Sequence, residues 1–157
     1  MILSSLIKFA LPFQAVVFLR DVLSQRSQRV SFNNSGSDWS AVTSGVPQGS
    51  VIGPVLFALV IDSLHPVCSN SVIIKYADDV TLLHCIREVG DDKLHDELSH
   101  LEQWSSANGL FLNFDKCFVM NCVTKNSLSL KPVCSSAGIT LKTVLSIRLH
   151  GVISLTN

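Results

Sequence analysis

The sequence predicts an α+β fold in which a small antiparallel sheet carries helices on one face. The stretch "SVIIKYADDVTLLHC" (71–85) has two β-prone halves around the polar pair Asp78-Asp79, which is typical of a tight hairpin with the acids at or beside its turn. The apolar run after Pro54 predicts a helix over 54–64. Residues 91–108 predict another, because an apolar stripe recurs there at helical spacing: Leu94, Leu98, Leu101 and Trp104.

The N-terminal part of the chain predicts a helix followed by a hairpin. Residues 1–30 have a helical pattern with a break at Pro12. Residues 29–34 alternate like a strand, 33–38 have turn chemistry, and 39–44 suit the returning strand. A hairpin is therefore expected before the loop that begins at Ser44.

Two segments remain between and after these elements. The loop "SGVPQGSVIGP" (44–54) leads into the helix at Pro54, and Asp62 marks the exit of that helix. Residues 110–122 predict a strand, interrupted by three polar side chains: Asn113, Asp115 and Lys116.

Composition narrows the function classes. The chain has 157 residues, 47% hydrophobic and 15% charged, against about 25% charged in an average soluble domain. This favours either a core piece of a larger protein or a membrane-associated protein, and the apolar residues 1–19 keep a membrane anchor as an alternative. The net charge is zero, which argues against autonomous nucleic-acid binding. The five cysteines match no zinc pattern and indicate reduced thiols in an intracellular protein.

The acidic pair has two interpretations. Carboxylates at a hairpin tip can bind a hard divalent cation such as Mg²⁺, which takes one or two protein carboxylates plus substrate phosphates. A two-metal site for phosphoryl transfer needs a further carboxylate from a neighbouring strand. Acidic residues are also common at the tips of surface β-turns without any function, and spacing alone favours that interpretation.

The loop shifts this balance. Glycines at 45, 49 and 53 permit close backbone approach to a ligand. The amide of Gln48 can donate and accept, and the following helix offers its positive end. A nucleotide or a template base would suit such a loop, although a Gly/Pro-rich connection without function has the same composition.

Together the two motifs resemble the palm of reverse transcriptases, closest to the non-LTR (LINE-type) retrotransposon enzymes. "SGVPQGSVIGPVLFALVIDSL" is followed by "YADD", with thirty residues from Gln48 to Asp78. "FLRDVLSQRSQRVSFNN" and "LSHLEQWSSANGLFLNFDKCFVM" are similar to the family's segments before the loop and after the hairpin. The resemblance covers residues 18–150, so residues 18–157 are expected to be a partial palm domain and 1–17 an unassigned apolar segment.

The resemblance implies roles for individual residues. Asp78 and Asp79 would be catalytic, metal-binding carboxylates for two Mg²⁺ ions. Nucleotide and template binding would fall to five residues: Pro47, Gln48, Gly49, Tyr76 and Lys116. The implied partners are an RNA template, a DNA primer and a dNTP.

One departure from the family pattern limits this expectation. Family members carry another essential aspartate upstream of the loop, and the only acids before Gln48 here are Asp21 and Asp38, neither in the expected strand context. The chain is therefore expected to be a truncated palm that is inactive alone. The alternatives are a non-catalytic nucleic-acid-binding or interaction remnant of a retrotransposon, and a small membrane-anchored protein.

Overall fold

The computed structural model describes residues 11–87, 91–122, 132–135, 137–149 and 152–155. The chain divides into two compact units, Met1–Ser63 and Leu64–Asn157. The elements of the first are α1 (Phe13–Leu23), β1 (Arg26–Gln28), β2 (Ser31–Phe32), β3 (Ser35–Gly36), β4 (Ser40–Val42) and α2 (Gly53–Ile61). Those of the second are β5 (Ser71–Tyr76), β6 (Asp79–His84), α3 (Leu94–Ala107), a 3₁₀ helix (Phe114–Lys116), β7 (Phe118–Val119), β8 (Lys142–Thr143), β9 (Ser146–Leu149) and β10 (Val152–Leu155).

The α+β class is confirmed. Among the described residues, α-helices alternate with small two-stranded sheets, which are antiparallel except for the β7–β8 pair. The described strands form separate ladders and not one continuous sheet. The predicted domain over 18–157 stays a prediction, and α1 runs across its first boundary.

Helix α1 begins after Pro12, as the sequence predicts, but it ends at Leu23. The helix predicted over the rest of 1–30 is wrong, because residues 26–28 pair with residues 40–42. Gln25 has φ +51 and turns the chain between the two elements. Tertiary pairing thus overrides the local helical pattern. Residues 1–10 of the predicted apolar segment lie outside the described residues.

The predicted hairpin is present in the first unit. Arg26 pairs with Val42 at its base, and Phe32 pairs with Ser35 next to the turn. Asn33 and Asn34 form the two-residue turn with φ +46 and +61. Asparagine tolerates this left-handed conformation, which matches the twist of a hairpin. The strand predicted over 29–34 is interrupted between Gln28 and Ser31, where the two short ladders meet.

Helix α2 carries the core of the first unit. Leu56 on α2 and Leu19 on α1 are buried, and five half-buried side chains pack against them: Leu11, Leu23, Val46, Ile52 and Leu59. Val46 and Ile52 belong to the loop before α2, so the core also holds that loop. In the described part of the chain, the helices are all too short or too polar to cross a membrane.

The second unit contains the predicted β5–β6 hairpin, with Ser71 opposite His84 at its base. Helix α3 buries Leu98 and ends at Ala107, with Asn108 as its C-cap, close to the predicted end, but it begins at Leu94 and not at Asp91. Past the end of α3, the Leu110 N–H donates to the Ser105 carbonyl at 2.9 Å, which satisfies one of the last free carbonyls of the helix.

The strand predicted over 110–122 is largely wrong. Phe114–Lys116 form a 3₁₀ helix, in which the Lys116 N–H donates to the Asn113 carbonyl at 3.0 Å. Asn and Asp readily support such local turns, which compete with a strand. Only Phe118–Val119 pair with another strand, β8, and they do so in parallel. The five cysteines all lie among the described residues, and no disulfide joins any of them.

Candidate functional site

Asp78 and Asp79 lie at the tip of the β5–β6 hairpin. Tyr76 pairs with Asp79, so Ala77 and Asp78 form the two-residue turn and Asp79 begins the returning strand. All four residues are exposed. Ala77 has φ +51, a left-handed conformation that costs a residue with a Cβ about 1–2 kcal/mol. Such backbone strain is frequent at functional sites, where the surrounding structure maintains it.

The charge at the tip is uncompensated within the described structure. Neither carboxylate has a hydrogen-bond or ion-pair partner among the described residues. The nearest basic residue along the strand is Lys75, whose Nζ donates to the Leu64 carbonyl at 2.9 Å. Two exposed carboxylates with free oxygens therefore project from one turn.

This arrangement fits a magnesium ion in part. Mg²⁺ prefers oxygen ligands and usually takes one or two carboxylates, with water or substrate phosphates in its other positions. The described residues contain no group of three or more His, Cys, Asp or Glu side chains that could hold a metal ion by themselves. The hairpin tip thus offers part of a coordination shell.

The loop before α2 presents Gln48 at the corner of a β-turn. The Ser50 N–H and Oγ contact the Pro47 carbonyl at 3.4 and 2.7 Å, which closes a turn over Pro47–Ser50. Gly49, third in the turn, has φ +77, as a type II turn requires. Gln48 is exposed at the second position, so its amide is available to a ligand.

Gly53 lets this turn pack closely against the start of α2. The Gly53 N–H donates to Ser50 Oγ at 3.0 Å. A Cβ at position 53 would lie 2.8 Å from the Pro47 carbonyl oxygen and 3.1 Å from Ser50 Oγ. The turn and the helix therefore approach each other more closely than any residue other than glycine permits.

Lys116, the remaining predicted site residue, lies at the end of the 3₁₀ helix and is exposed. The predicted site residues therefore fall into three places: Pro47, Gln48 and Gly49 share one turn, Tyr76, Asp78 and Asp79 share the hairpin tip, and Lys116 is on its own element. The first group belongs to Met1–Ser63 and the others to Leu64–Asn157.

A polar network at the base of the hairpin was missed by sequence reasoning. Ser71 Oγ and His84 Nδ1 are 2.8 Å apart across the first pair of the ladder. His84 Nε2 lies 3.1 Å from the Lys93 amide and 2.9 Å from the Asp91 carbonyl oxygen. This histidine therefore joins the hairpin to the residues just before α3.

Glu97 forms the second part of the network from within α3. Its side chain is 1% exposed. One carboxylate oxygen accepts from the Cys68 N–H at 2.7 Å, and both accept from the Val67 N–H at 3.2 and 3.1 Å. Burial by itself would raise the pKa of Glu97, but donors from Cys68, Ser71 and Val67 hold that pKa below its usual value. The carboxylate is thus charged and fixes the chain leading into β5.

A weak sequence signal for this network existed. Glu97 is three residues after Leu94 and four before Leu101, which places it beside the apolar stripe on the helix. Ser71 and His84 are symmetrically placed about Ala77-Asp78, which suggests cross-strand pairing once the turn is known. Neither signal identifies the backbone donors, which lie about thirty residues from Glu97 along the chain.

The loop, the acid-tipped hairpin and the α+β fold agree with the family to which this sequence is similar. A model of the reverse transcriptase (RNA-dependent DNA polymerase) family matches residues 2–152. The chain therefore belongs to the reverse transcriptase family, and the expected membership of the LINE-type retrotransposon enzymes is confirmed. None of the solved structures matches the chain.

The similar curated proteins come from Drosophila melanogaster. The RNA-directed DNA polymerase from mobile element jockey is 28% identical over 68% of this chain and 13% of its own length. The probable RNA-directed DNA polymerases from transposon BS and from transposon X-element are both 32% identical, over 77% and 73% of this chain. The chain spans 14% of the length of each of these two proteins.

Proposed function

We propose that this chain contributes the metal-binding hairpin and the template loop of the palm of a LINE-type RNA-directed DNA polymerase. The observation that carries the proposal is the exposed Asp78-Asp79 pair, which lies at the tip of a hairpin with a strained two-residue turn and has no side-chain partners among the described residues. In the reaction, a primer 3′-hydroxyl attacks the α-phosphate of a dNTP on an RNA template. The bond to the pyrophosphate breaks, and pyrophosphate leaves.

The carboxylates of Asp78 and Asp79 would hold Mg²⁺, with the remaining positions taken by substrate phosphates and water. When bound, two such ions activate the attacking hydroxyl and stabilise the leaving group. The hairpin contributes by keeping both carboxylates at one tip, so that little reorganisation is needed when the substrate arrives. Tyr76 pairs with Asp79 and is exposed, which suits contact with the nucleotide and primer terminus.

The template loop would meet the templating base pair. Pro47 and Gly49 hold the turn, and Gln48 offers an amide that can donate to and accept from a base or sugar. Lys116 would neutralise charge on the incoming triphosphate, which its exposed ammonium permits. RNA template, DNA primer and dNTP are therefore the proposed ligands.

Two acids precede the loop, and neither resembles a metal ligand in its surroundings. Asp21 is on the surface of α1, 3.0 Å from Arg20, and Asp38 is exposed between β3 and β4. A two-metal site needs a further carboxylate beside Asp78. We therefore propose that these 157 residues do not polymerise DNA by themselves and that a further aspartate must come from elsewhere.

Binding of Mn²⁺, a paramagnetic substitute for Mg²⁺, tests the assignment without relying on activity. Electron paramagnetic resonance of the chain with dNTP and primer–template should show bound Mn²⁺, and Asp78→Asn should weaken it about tenfold or more. The control, Asp38→Asn, removes an exposed acid elsewhere and should change nothing. Equal behaviour of the two variants would contradict the metal-binding role.

Primer extension on an RNA template tests the second half of the proposal. The chain alone with Mg²⁺ should give no extension above background. Robust extension that Asp78→Ala abolishes would show that the chain needs no further carboxylate.

A non-catalytic nucleic-acid-binding remnant is the second candidate. The lack of a three-ligand metal group among the described residues favours it. Binding of primer–template that is independent of Mg²⁺ and of Asp78, with a shallow salt dependence, would support this candidate over the first.

A further inference from the structure

The Arg26 side chain joins three parts of the first unit. Its Nε donates to the Leu23 carbonyl at 3.1 Å. Its Nη2 donates to the carbonyls of Gly45 and Ser44, at 2.7 and 3.3 Å. The guanidinium therefore links the end of α1 to the start of the loop that presents Gln48.

Each of these contacts reaches a carbonyl that lies outside the hydrogen bonding of the helices and ladders. Leu23 is in the last turn of α1, where carbonyls have no intrahelical donor and a positive charge is favourable. Ser44 and Gly45 follow the end of β4, so their carbonyls are outside the ladder. The planar guanidinium donates to the Leu23 carbonyl at the end of α1 and to the Ser44 and Gly45 carbonyls of the loop at the same time, which a lysine ammonium cannot do with the same geometry.

The contact lies three residues from Gln48. Beyond Gly45, Val46 packs against the Leu19–Leu56 core, and the turn begins at Pro47. The other side of the turn is locked by the Ser50–Gly53 hydrogen bond. The loop is thus held at both ends, by Arg26 on the strand side and by α2 on the helix side.

We propose that Arg26 is a positioning residue that sets the conformation of the Gln48 turn for template recognition. The recognition step rests on the proposed function, whereas the positioning step is a property of the folded chain. Arg26 does not touch substrate in this proposal. It acts by restricting the backbone that carries Gln48, so the loop meets a template without first paying the entropy of ordering.

Hydrogen exchange measured by mass spectrometry tests the positioning step in the full chain. Arg26→Gln should speed exchange of the Ser50 amide, which closes the Gln48 turn, about tenfold, because the charged hydrogen bonds that hold the loop are lost, while amides of α3 stay unchanged. Arg26→Lys should give an intermediate effect. The matched control is Arg20→Gln, which removes an exposed arginine that contacts only the neighbouring Asp21 in the described structure.

Two results would overturn the positioning role. One is unchanged exchange of the Ser50 amide in both Arg26 variants, and the other is an equal effect of Arg20→Gln. If Arg26→Gln unfolds the chain, Arg26→Lys decides, because it retains the charge and loses only the planar guanidinium.

Primer–template binding by Gln48→Ala, followed by fluorescence anisotropy, separates this inference from the proposed function. Weaker binding by both Gln48→Ala and Arg26→Lys supports the whole proposal. If exchange depends on Arg26 but Gln48→Ala binds normally, the role of the loop in template recognition fails and the positioning role stands.

Discussion

Replacing Glu97 by glutamine should destabilise the second unit strongly, although the two side chains have nearly the same shape. The carboxylate is buried and accepts the backbone N–H groups of Val67 and Cys68. A glutamine amide keeps only one acceptor oxygen. With its oxygen where Val67 and Cys68 both donate, its NH₂ group would take the place of the oxygen that lies 3.1 Å from the Val67 N–H, and two donors would face each other there.

The expected magnitude follows from these contacts. A hydrogen bond to a charged acceptor contributes about 1.5–3 kcal/mol, against about 0.5–1.5 for a neutral one, so the retained bond loses about 1 kcal/mol. The 3.1 Å bond from the Val67 N–H is lost and an NH₂ donor faces that group instead, which costs about 1–3 kcal/mol. Glu97→Gln should therefore lower the free energy of unfolding by about 2–4 kcal/mol, a large part of a typical domain's stability.

The pH dependence gives an independent check. The pKa of Glu97 is lower in the folded chain than its ordinary value of 4.5. Its contribution to stability is therefore complete above the unfolded pKa and is lost as the pH falls through the lower folded pKa. The difference in stability between the parent chain and Glu97→Gln should be full at pH 7 and shrink below about pH 4.

Urea unfolding followed by circular dichroism, from pH 3 to pH 7, measures both effects. Asp96→Asn is the matched control, because Asp96 is the neighbouring acid on α3 and is exposed. A loss for Glu97→Gln no larger than that for Asp96→Asn would refute the reasoning, as would a difference that does not change with pH.

Three further predictions concern the two turns. Gly53→Ala should lower the thermal midpoint and reduce the stability by about 1–3 kcal/mol, because the added Cβ would lie 2.8 Å from the Pro47 carbonyl oxygen. An unchanged midpoint would contradict this close contact between the turn and the helix. Gly49→Ala should lower the stability by about 1–2 kcal/mol in the same melting experiment, because φ at this position is +77. The control is Gly36→Ala, at an exposed glycine with negative φ, and a larger loss for the control than for Gly49→Ala would contradict the prediction. Ala77→Gly should raise the midpoint modestly, by up to about 1 kcal/mol, since glycine adopts φ +51 without a Cβ clash; a lower midpoint would show that the turn is not strained.

Local patterns were sufficient for the elements that carry the site. The two β-prone halves around Asp78-Asp79 predicted the hairpin, and the ladder runs from Ser71–His84 to Tyr76–Asp79. Pro54 and the apolar run predicted α2, which begins one residue earlier. These predictions succeeded because strand alternation, helix entry and turn chemistry depend on residues close together in the chain.

Local patterns failed where distant residues compete. Residues 26–28 have a helical pattern but pair with residues 40–42, and the strand predicted over 110–122 is interrupted by a 3₁₀ helix at Phe114–Lys116. In both places the backbone hydrogen bonds that form decide between helix, strand and turn, and the pattern of apolar and polar residues does not specify those hydrogen bonds.

The sequence by itself determined the family, the α+β class and the position of the acidic pair. The loop and "YADD" are contiguous motifs, so their residues and their spacing can be read directly from the sequence. Only the tertiary structure showed how the site is supported. Arg26 reaches carbonyls 18 and 19 residues away, and Glu97 reaches amides 29 and 30 residues away. Such contacts depend on where the folded backbone brings its unpaired groups, so they follow from folding and from no local pattern.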